Sequence, residues 1–223
     1  MLKVMAATAI YGMLHSAVAS LAAKRATAET FGPRNRDGLY RGFYIVQSLV
    51  TFGVLARYAW GQPNRELYRI RRPFAGLMHA GQVAAIVYAT WAARQVGVRR
   101  ITGMESFLAW TGDGPVPAEP EAQGPALDDE GRRNPIGPFA WSRHPLNFVP
   151  VPIFWLWPRM TTNLLAFNVA ATAYLVLGSI HEEARLRRVY GDGYESYTRS
   201  GVSFYMPNPN RNARQPTSRA LNP

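Results

Sequence analysis

Arg143-His144-Pro145 and His181-Glu182-Glu183 are the two clusters in this sequence best equipped for chemistry. Paired carboxylates beside an apolar run are costly unless they are hydrated, paired with arginine, or binding something. A cationic, hydroxyl-rich ligand would suit Glu182 and Glu183, and an anionic group on the same ligand would suit Arg143 or His144. His144 could also take a proton from a reacting group. Downstream, Tyr194 and Tyr197 are three residues apart and share one helix face, where they could close a pocket. A plainer reading makes Arg143 and the glutamates an interfacial ion pair and the tyrosines membrane-surface anchors. With no cysteine in the chain, a thiolate nucleophile and a zinc-thiolate site are excluded.

Charge-free runs set the elements that must position these clusters. A bilayer-crossing helix needs roughly 20 apolar residues. The runs at 4–23, 73–93 and 160–180 meet that length, while 42–60 carries Arg57 near its end and 145–158 is short. The expected fold is therefore all-α, an integral membrane bundle of about five transmembrane helices. Residues 145–180 should form a hairpin whose two ends lie together, which makes Arg143-His144-Pro145 a neighbour of His181-Glu182-Glu183. Beyond His181 the last helix should leave the bilayer and stop at Gly191, after which Asp192 and Glu195 could cap a short helix bearing the two tyrosines. Ile101, Met104, Phe107 and Leu108 fall at helical spacing and suit a membrane surface. The Pro-, Gly- and acid-rich stretch 112–137 reads as a flexible cytoplasmic loop without chemistry, and 208–223 as a polar tail. Residues 1–207 are read as one membrane domain.

A net charge of +11 would suggest nucleic acid in a water-soluble chain, but here it is read against topology. If all five segments cross, 24–41, 94–143 and 181–223 share a side and hold eighteen of the twenty-five Lys and Arg residues. The positive-inside rule then puts the C-terminus in the cytoplasm, and nucleic acid is not expected as a partner. His15 and His79 lie within spans, where histidine commonly serves as a hydrogen-bonding residue of the bundle.

The run Glu182-Glu183, Leu186, Tyr190-Gly191, Tyr194, Tyr197, Val202 and Pro207, preceded by Arg143-His144-Pro145, resembles the C-terminal signature of the isoprenylcysteine carboxyl methyltransferase superfamily. His15-Ser16, Ala19-Ser20, Lys24, Tyr40-Arg41, Tyr44 and Ser48 are similar to the opening of the membrane methanethiol S-methyltransferases and the NnrU-like proteins. The resemblance implies S-adenosylmethionine as donor and a thiol or another small or lipophilic acceptor at a bacterial inner membrane. It also implies that Arg143, His144, Pro145, Glu182, Glu183, Tyr194 and Tyr197 bind the donor, with His144 and Glu182 nearest the chemistry. No metal is implied. The chain departs from the signature at Asn147 and Val149, where the superfamily carries tyrosine and glycine. NnrU-like similarity keeps a haem protein as an alternative, since one or two of His15, His79, His144 and His181 in an apolar pocket would suffice to ligate the iron. Another alternative is a non-catalytic subunit with partners in a larger membrane complex.

Overall fold

A computed structural model describes residues 1–120 and 136–210. Ten helices and two short strands make up the described residues. In chain order they are α1 (Leu2–Ala19), α2 (Leu21–Phe31), α3 (Pro33–Trp60), β1 (Glu66–Arg69), α4 (Phe74–Val96), α5 (Val98–Ile101), α6 (Met104–Thr111), α7 (Pro138–Trp141), α8 (Pro145–Phe148), α9 (Pro150–Trp155), β2 (Arg159–Thr161) and α10 (Thr162–Arg199). Three of them, α1, α3 and α10, are long and apolar enough to cross a membrane. Their outward faces carry Met13 and Leu14, Leu49 and Val50, and Leu177 and Ile180, all exposed. Such a surface would be a liability in water and suits contact with lipid. α1 packs against both α10 and α3, while α4 packs against α8 and α9.

Three sequence expectations change. The run 4–23 does not continue as one helix, because Ser20 is extended (φ −69°, ψ 152°) and its hydroxyl accepts the Ala23 N–H at 3.2 Å, opening α2 as an N-cap. The stretch 145–158 does not form a crossing helix. Its helical arm runs only from Pro145 to Trp155 and is interrupted at Val149, since Pro150 and Pro152 bring no N–H to the ladder. An arm of that length rises about 16 Å, roughly half of a bilayer core. The third change is that β1 and β2 pair antiparallel, with Tyr68 opposite Met160. Glu66 links this ribbon to Arg69 and Arg159, each at 2.7 Å. The ribbon lies where α3 ends and α10 begins, so it ties together the bundle end remote from the two signature clusters.

α10 is long, as expected, and Gly191 interrupts it with φ 49° and ψ −127°, a conformation suited to glycine. Glu195 does not cap the turn that follows. Its carboxylate accepts instead from Arg187 Nε at 2.9 Å. Residues 202–208 then fold back along 141–144: Arg143 N–H donates to the Ser203 carbonyl at 2.8 Å and Asn208 N–H to the Trp141 carbonyl at 3.0 Å.

α1 approaches α10 closely because of Gly12, where an added Cβ would meet the Tyr174 ring at 2.6 Å. Gly12→Ala is expected to lower stability by about 1–3 kcal/mol through overpacking. Gly81→Ala meets only the flexible Leu156 Cδ1 at 2.6 Å and should cost less. Thermal unfolding of both variants in detergent checks the order.

Candidate functional site

The break at Gly191 and the proline-led arm bring both signature clusters to one place. Arg143 Nε donates to Glu183 Oε1 at 2.6 Å, and Arg143 Nη1 donates to the Val202 carbonyl at 3.0 Å. The second oxygen of Glu183 accepts from Arg187 Nη2 at 3.0 Å, and its first also accepts from the Tyr194 hydroxyl at 3.2 Å. Glu183 is thus enclosed by partners. Glu182 is more open: its Oε2 accepts from Asn147 Nδ2 at 3.1 Å, and Asn147 Nδ2 also reaches Ser179 Oγ at 3.0 Å.

His144 sits between the two carboxylates, Nδ1 at 3.3 Å from Glu182 Oε2 and Nε2 at 3.4 Å from Glu183 Oε1. The Nε2 contact has ion-pair distance without hydrogen-bond alignment, so this buried nitrogen keeps unused hydrogen-bonding capacity among the described residues. Burial disfavours the imidazolium, but the Glu182 and Glu183 carboxylates outweigh it and raise the His144 pKa above its ordinary value. A group bound more tightly as the cation in the folded state contributes its full stability below the unfolded value of about 6.5. That contribution is lost as pH rises through the higher folded value. Unfolding midpoints are therefore expected to fall as pH increases from roughly 6.5, and His144→Gln should flatten the slope, as read by thermal melts across a pH series.

Two adjoining cavities open on this cluster. The smaller, about 140 Å³, is lined by Arg143, His144, Pro145, Glu182, Tyr194 and Tyr197 together with the apolar Val96, Phe139, Leu146 and Leu186. Six of the seven expected donor residues therefore meet around one space, and Glu183 braces it from behind. The Tyr194 and Tyr197 side chains are buried, with the Tyr197 hydroxyl donating to the Phe139 carbonyl at 2.6 Å. They are walls of this cavity and not exposed surface anchors.

The larger cavity, about 260 Å³, lies between α1, α3 and α10. His15, Ser16, Ala19, Ser20, Lys24, Tyr40, Arg41 and Tyr44 line it, so nearly all of the N-terminal signature gathers in one wall. Asn147 and Glu182 belong to both cavities. Together the two volumes reach the range of roughly 300–1,000 Å³ usual for small-molecule sites. Arg185 also lines the larger one, and its buried Nε has no hydrogen-bond partner among the described residues.

One wall residue comes from the stretch expected to be without chemistry. Glu119 is buried, accepts from Lys24 Nζ at 3.0 Å, and is held by its own N–H donating to Asp37 Oδ1 at 2.8 Å. Lys24 Nζ also donates to the Pro120 carbonyl at 2.7 Å. One acid among several in a proline-rich run gives no local sign of such a partner. Residues 121–135 of the expected loop, and 211–223 of the expected tail, lie outside the described residues.

His79 is elsewhere. Its Nδ1 pairs with Gln82 Oε1 at 2.8 Å beside Trp157. His15 has Nδ1 at 2.9 Å from Ser48 Oγ and Nε2 against the Tyr44 hydroxyl, so both ring nitrogens are engaged within the bundle. His15 lines the larger cavity and His79 does not.

Fold and cleft together define a helical protein of membrane type, with long apolar helices and its polar side chains gathered around a two-chambered cleft at one end. The chain is a homologue of the methanethiol S-methyltransferases. It is 28% identical over 210 residues to the methanethiol S-methyltransferase of Mycobacterium tuberculosis (strain ATCC 25618 / H37Rv), covering 91% of this chain and 76% of that protein. It is 24% identical over 179 residues to the one of Pseudomonas sp. (strain GM41(2012)), covering 78% of this chain and 62% of that protein. A third, from Pseudomonas deceptionensis, is 33% identical over 70 residues, which is 31% of this chain and 26% of that protein. No family model matches the chain, and no solved structure matches it significantly.

Proposed function

We propose that the chain is an enzyme of a bacterial inner membrane that transfers a methyl group from S-adenosylmethionine to methanethiol, within the wider isoprenylcysteine carboxyl methyltransferase superfamily. The similarity to methanethiol S-methyltransferases supports the reaction class. The single observation that carries the site is Glu182, whose carboxylate lies at the junction of the two cavities. Buried His144 Nε2 and Arg185 Nε near that junction retain hydrogen-bonding capacity, which fits a ligand with carboxylate and hydroxyl groups. The donor would supply an electrophilic methyl on a sulfonium.

In this reading Glu182 complements the sulfonium or the ammonium, while His144 and Arg143 attract the donor carboxylate. Phe139, Leu146 and Leu186 give the smaller cavity an apolar lining for the adenine, closed by Tyr194 and Tyr197. Glu183 is assigned to the wall, because its four partners hold Arg143 and Tyr194 in place. The protein's contribution is positioning and exclusion of water rather than a covalent intermediate. Placing this end of the bundle in the cytoplasm follows from the basic charge of its loops, with α4 and the short arm completing the membrane domain. Lipid is then the chain's surrounding partner.

Titration calorimetry of the purified protein with S-adenosylmethionine, followed by transfer of labelled methyl to methanethiol, tests this function. Saturable donor binding and labelled dimethyl sulfide are expected. No binding heat and no labelled product would reject the reading.

A further inference from the structure

We propose that Tyr44, with His15 directly behind it, is the proton acceptor for a thiol held in the larger cavity. The inference rests on the methyl-transfer reading and goes beyond it by giving the N-terminal cluster a chemical role.

The hydrogen bonds fix the direction of the pair. Ser48 Oγ lies 2.7 Å from the Tyr44 carbonyl and 3.5 Å from Gln47 Oε1, both acceptors, so the one hydroxyl hydrogen is used there. Ser48 Oγ must then accept from His15, which places a hydrogen on Nδ1. A neutral imidazole with Nδ1–H has a bare Nε2, and that nitrogen receives the Tyr44 hydroxyl. Tyr44 is one of the residues lining the cavity, and its oxygen, donating to His15, keeps lone pairs for a second donor.

A sulfonium methyl reacts with a thiolate far faster than with a thiol, so a neutral thiol must lose its proton near the transition state. The thiol S–H proton passes to Tyr44 Oη as the tyrosine's own proton passes to His15 Nε2. The sulfur electron pair forms the new S–C bond while the methyl's old C–S bond breaks toward the donor sulfur, which becomes a neutral thioether. His15 holds the proton and later returns it through Tyr44 to water. A carboxylate acceptor arrives ionised and would have no use for such a relay, so the arrangement points to a weakly acidic, small, apolar acceptor.

The surroundings favour a transient anion. Arg41 Cζ lies 5.4 Å from the Tyr44 ring centroid, and Lys24 and Arg185 line the same cavity. Besides these, Tyr11 from α1 and Tyr174 from α10 face the pair, the latter hydrogen-bonded to Ser16 at 3.0 Å. Two acids also line the cavity: Glu119 pairs with Lys24, and Glu182 lies within the field of Arg185.

Two thiols of one carbon skeleton separate catalysis from folding. Ethanethiol is mostly protonated near neutral pH, whereas 2,2,2-trifluoroethanethiol is far more ionised there. Tyr44→Phe is expected to slow kcat with ethanethiol about 100-fold, in the range of general acid–base effects, and to slow trifluoroethanethiol by much less. Donor binding by calorimetry should stay intact and shows that the variant is folded. Equal losses on both thiols, or no loss on either, overturn the relay while methyl transfer stands. A wild-type protein that methylates neither thiol overturns the underlying reading and the relay with it. Nitrogen-15 spectra of histidine-labelled protein give a readout without turnover: the ring missing in His15→Gln should show the Nδ1–H tautomer, and an Nε2–H tautomer there overturns the proposal.

Discussion

Replacing Glu182 with glutamine is expected to weaken S-adenosylmethionine binding roughly 10- to 100-fold while leaving the fold in place. The estimate follows from losing one charge-assisted hydrogen bond, about 1.5–3 kcal/mol. Glutamine has nearly the same shape, and its carbonyl can still accept from Asn147 Nδ2, now 3.1 Å from the carboxylate. Glu182 makes no ion pair with an arginine among the described residues, and His144, which it faces at 3.3 Å, keeps the Glu183 carboxylate at 3.4 Å. Calorimetric affinities set beside thermal midpoints check both halves of the claim. Unchanged donor affinity in a folded variant would remove Glu182 from the site.

Glu183→Ala should do the opposite and act first on stability. The carboxylate has only 7% of its side-chain surface exposed and neutralises Arg143, which is itself 13% exposed. Removing one partner of such a pair typically costs 3–5 kcal/mol, about what an uncompensated buried charge costs. Arg143 would then retain the Val202 carbonyl and the face of Phe204, 5.6 Å from its guanidinium carbon, but no carboxylate of equal proximity. Combining Glu183→Ala with Arg143→Met should recover part of the loss, because the stranded cation is gone. A double-mutant cycle in detergent measures that recovery. If the single variant melts like wild type, the pair does not hold the wall.

These contrasting roles for adjacent glutamates were only half legible in the sequence. The meeting of 143–145 with 181–183 follows from reading 145–180 as a hairpin, and the break at Gly191 from glycine's access to positive φ. Both are local signals acting on long helices, where periodicity and composition are strongest. Which of Glu182 and Glu183 faces a cavity depends on where α10 presents each side to α8 and to 202–208, and no spacing rule fixes that rotation. The apolar residues of the short arm fit a re-entrant or a transmembrane hairpin alike, and its length in the structure fits a re-entrant one. Pro150 and Pro152, which deny it length, were visible but weighed too little. The β1–β2 ribbon pairs residues ninety or more apart through two very short strands, and such pairing leaves almost no trace in composition. Glu119 was missed for a similar reason, since its partners Lys24 and Asp37 lie more than eighty residues away.

The N-terminal signature shows what resemblance contributes and what it leaves open. It picked out His15, Tyr44 and Ser48 without saying that they touch. Their contact depends on α1 crossing α3 with His15 opposite Tyr44, ring centroids 4.8 Å apart. The separate crossing of α1 with α10 excludes a bulky residue at position 12, where Tyr174 comes close.

The fold-back of residues 202–208 onto 141–144 also sets an order of assembly during biosynthesis. Arg143 obtains its backbone partners from Val202 and Ser203, and the Ser142 hydroxyl donates to the Tyr205 carbonyl at 2.7 Å. Until residues 202–208 have been made, Arg143 and Ser142 lack these partners, so a chain truncated just past Arg199 could not build this wall.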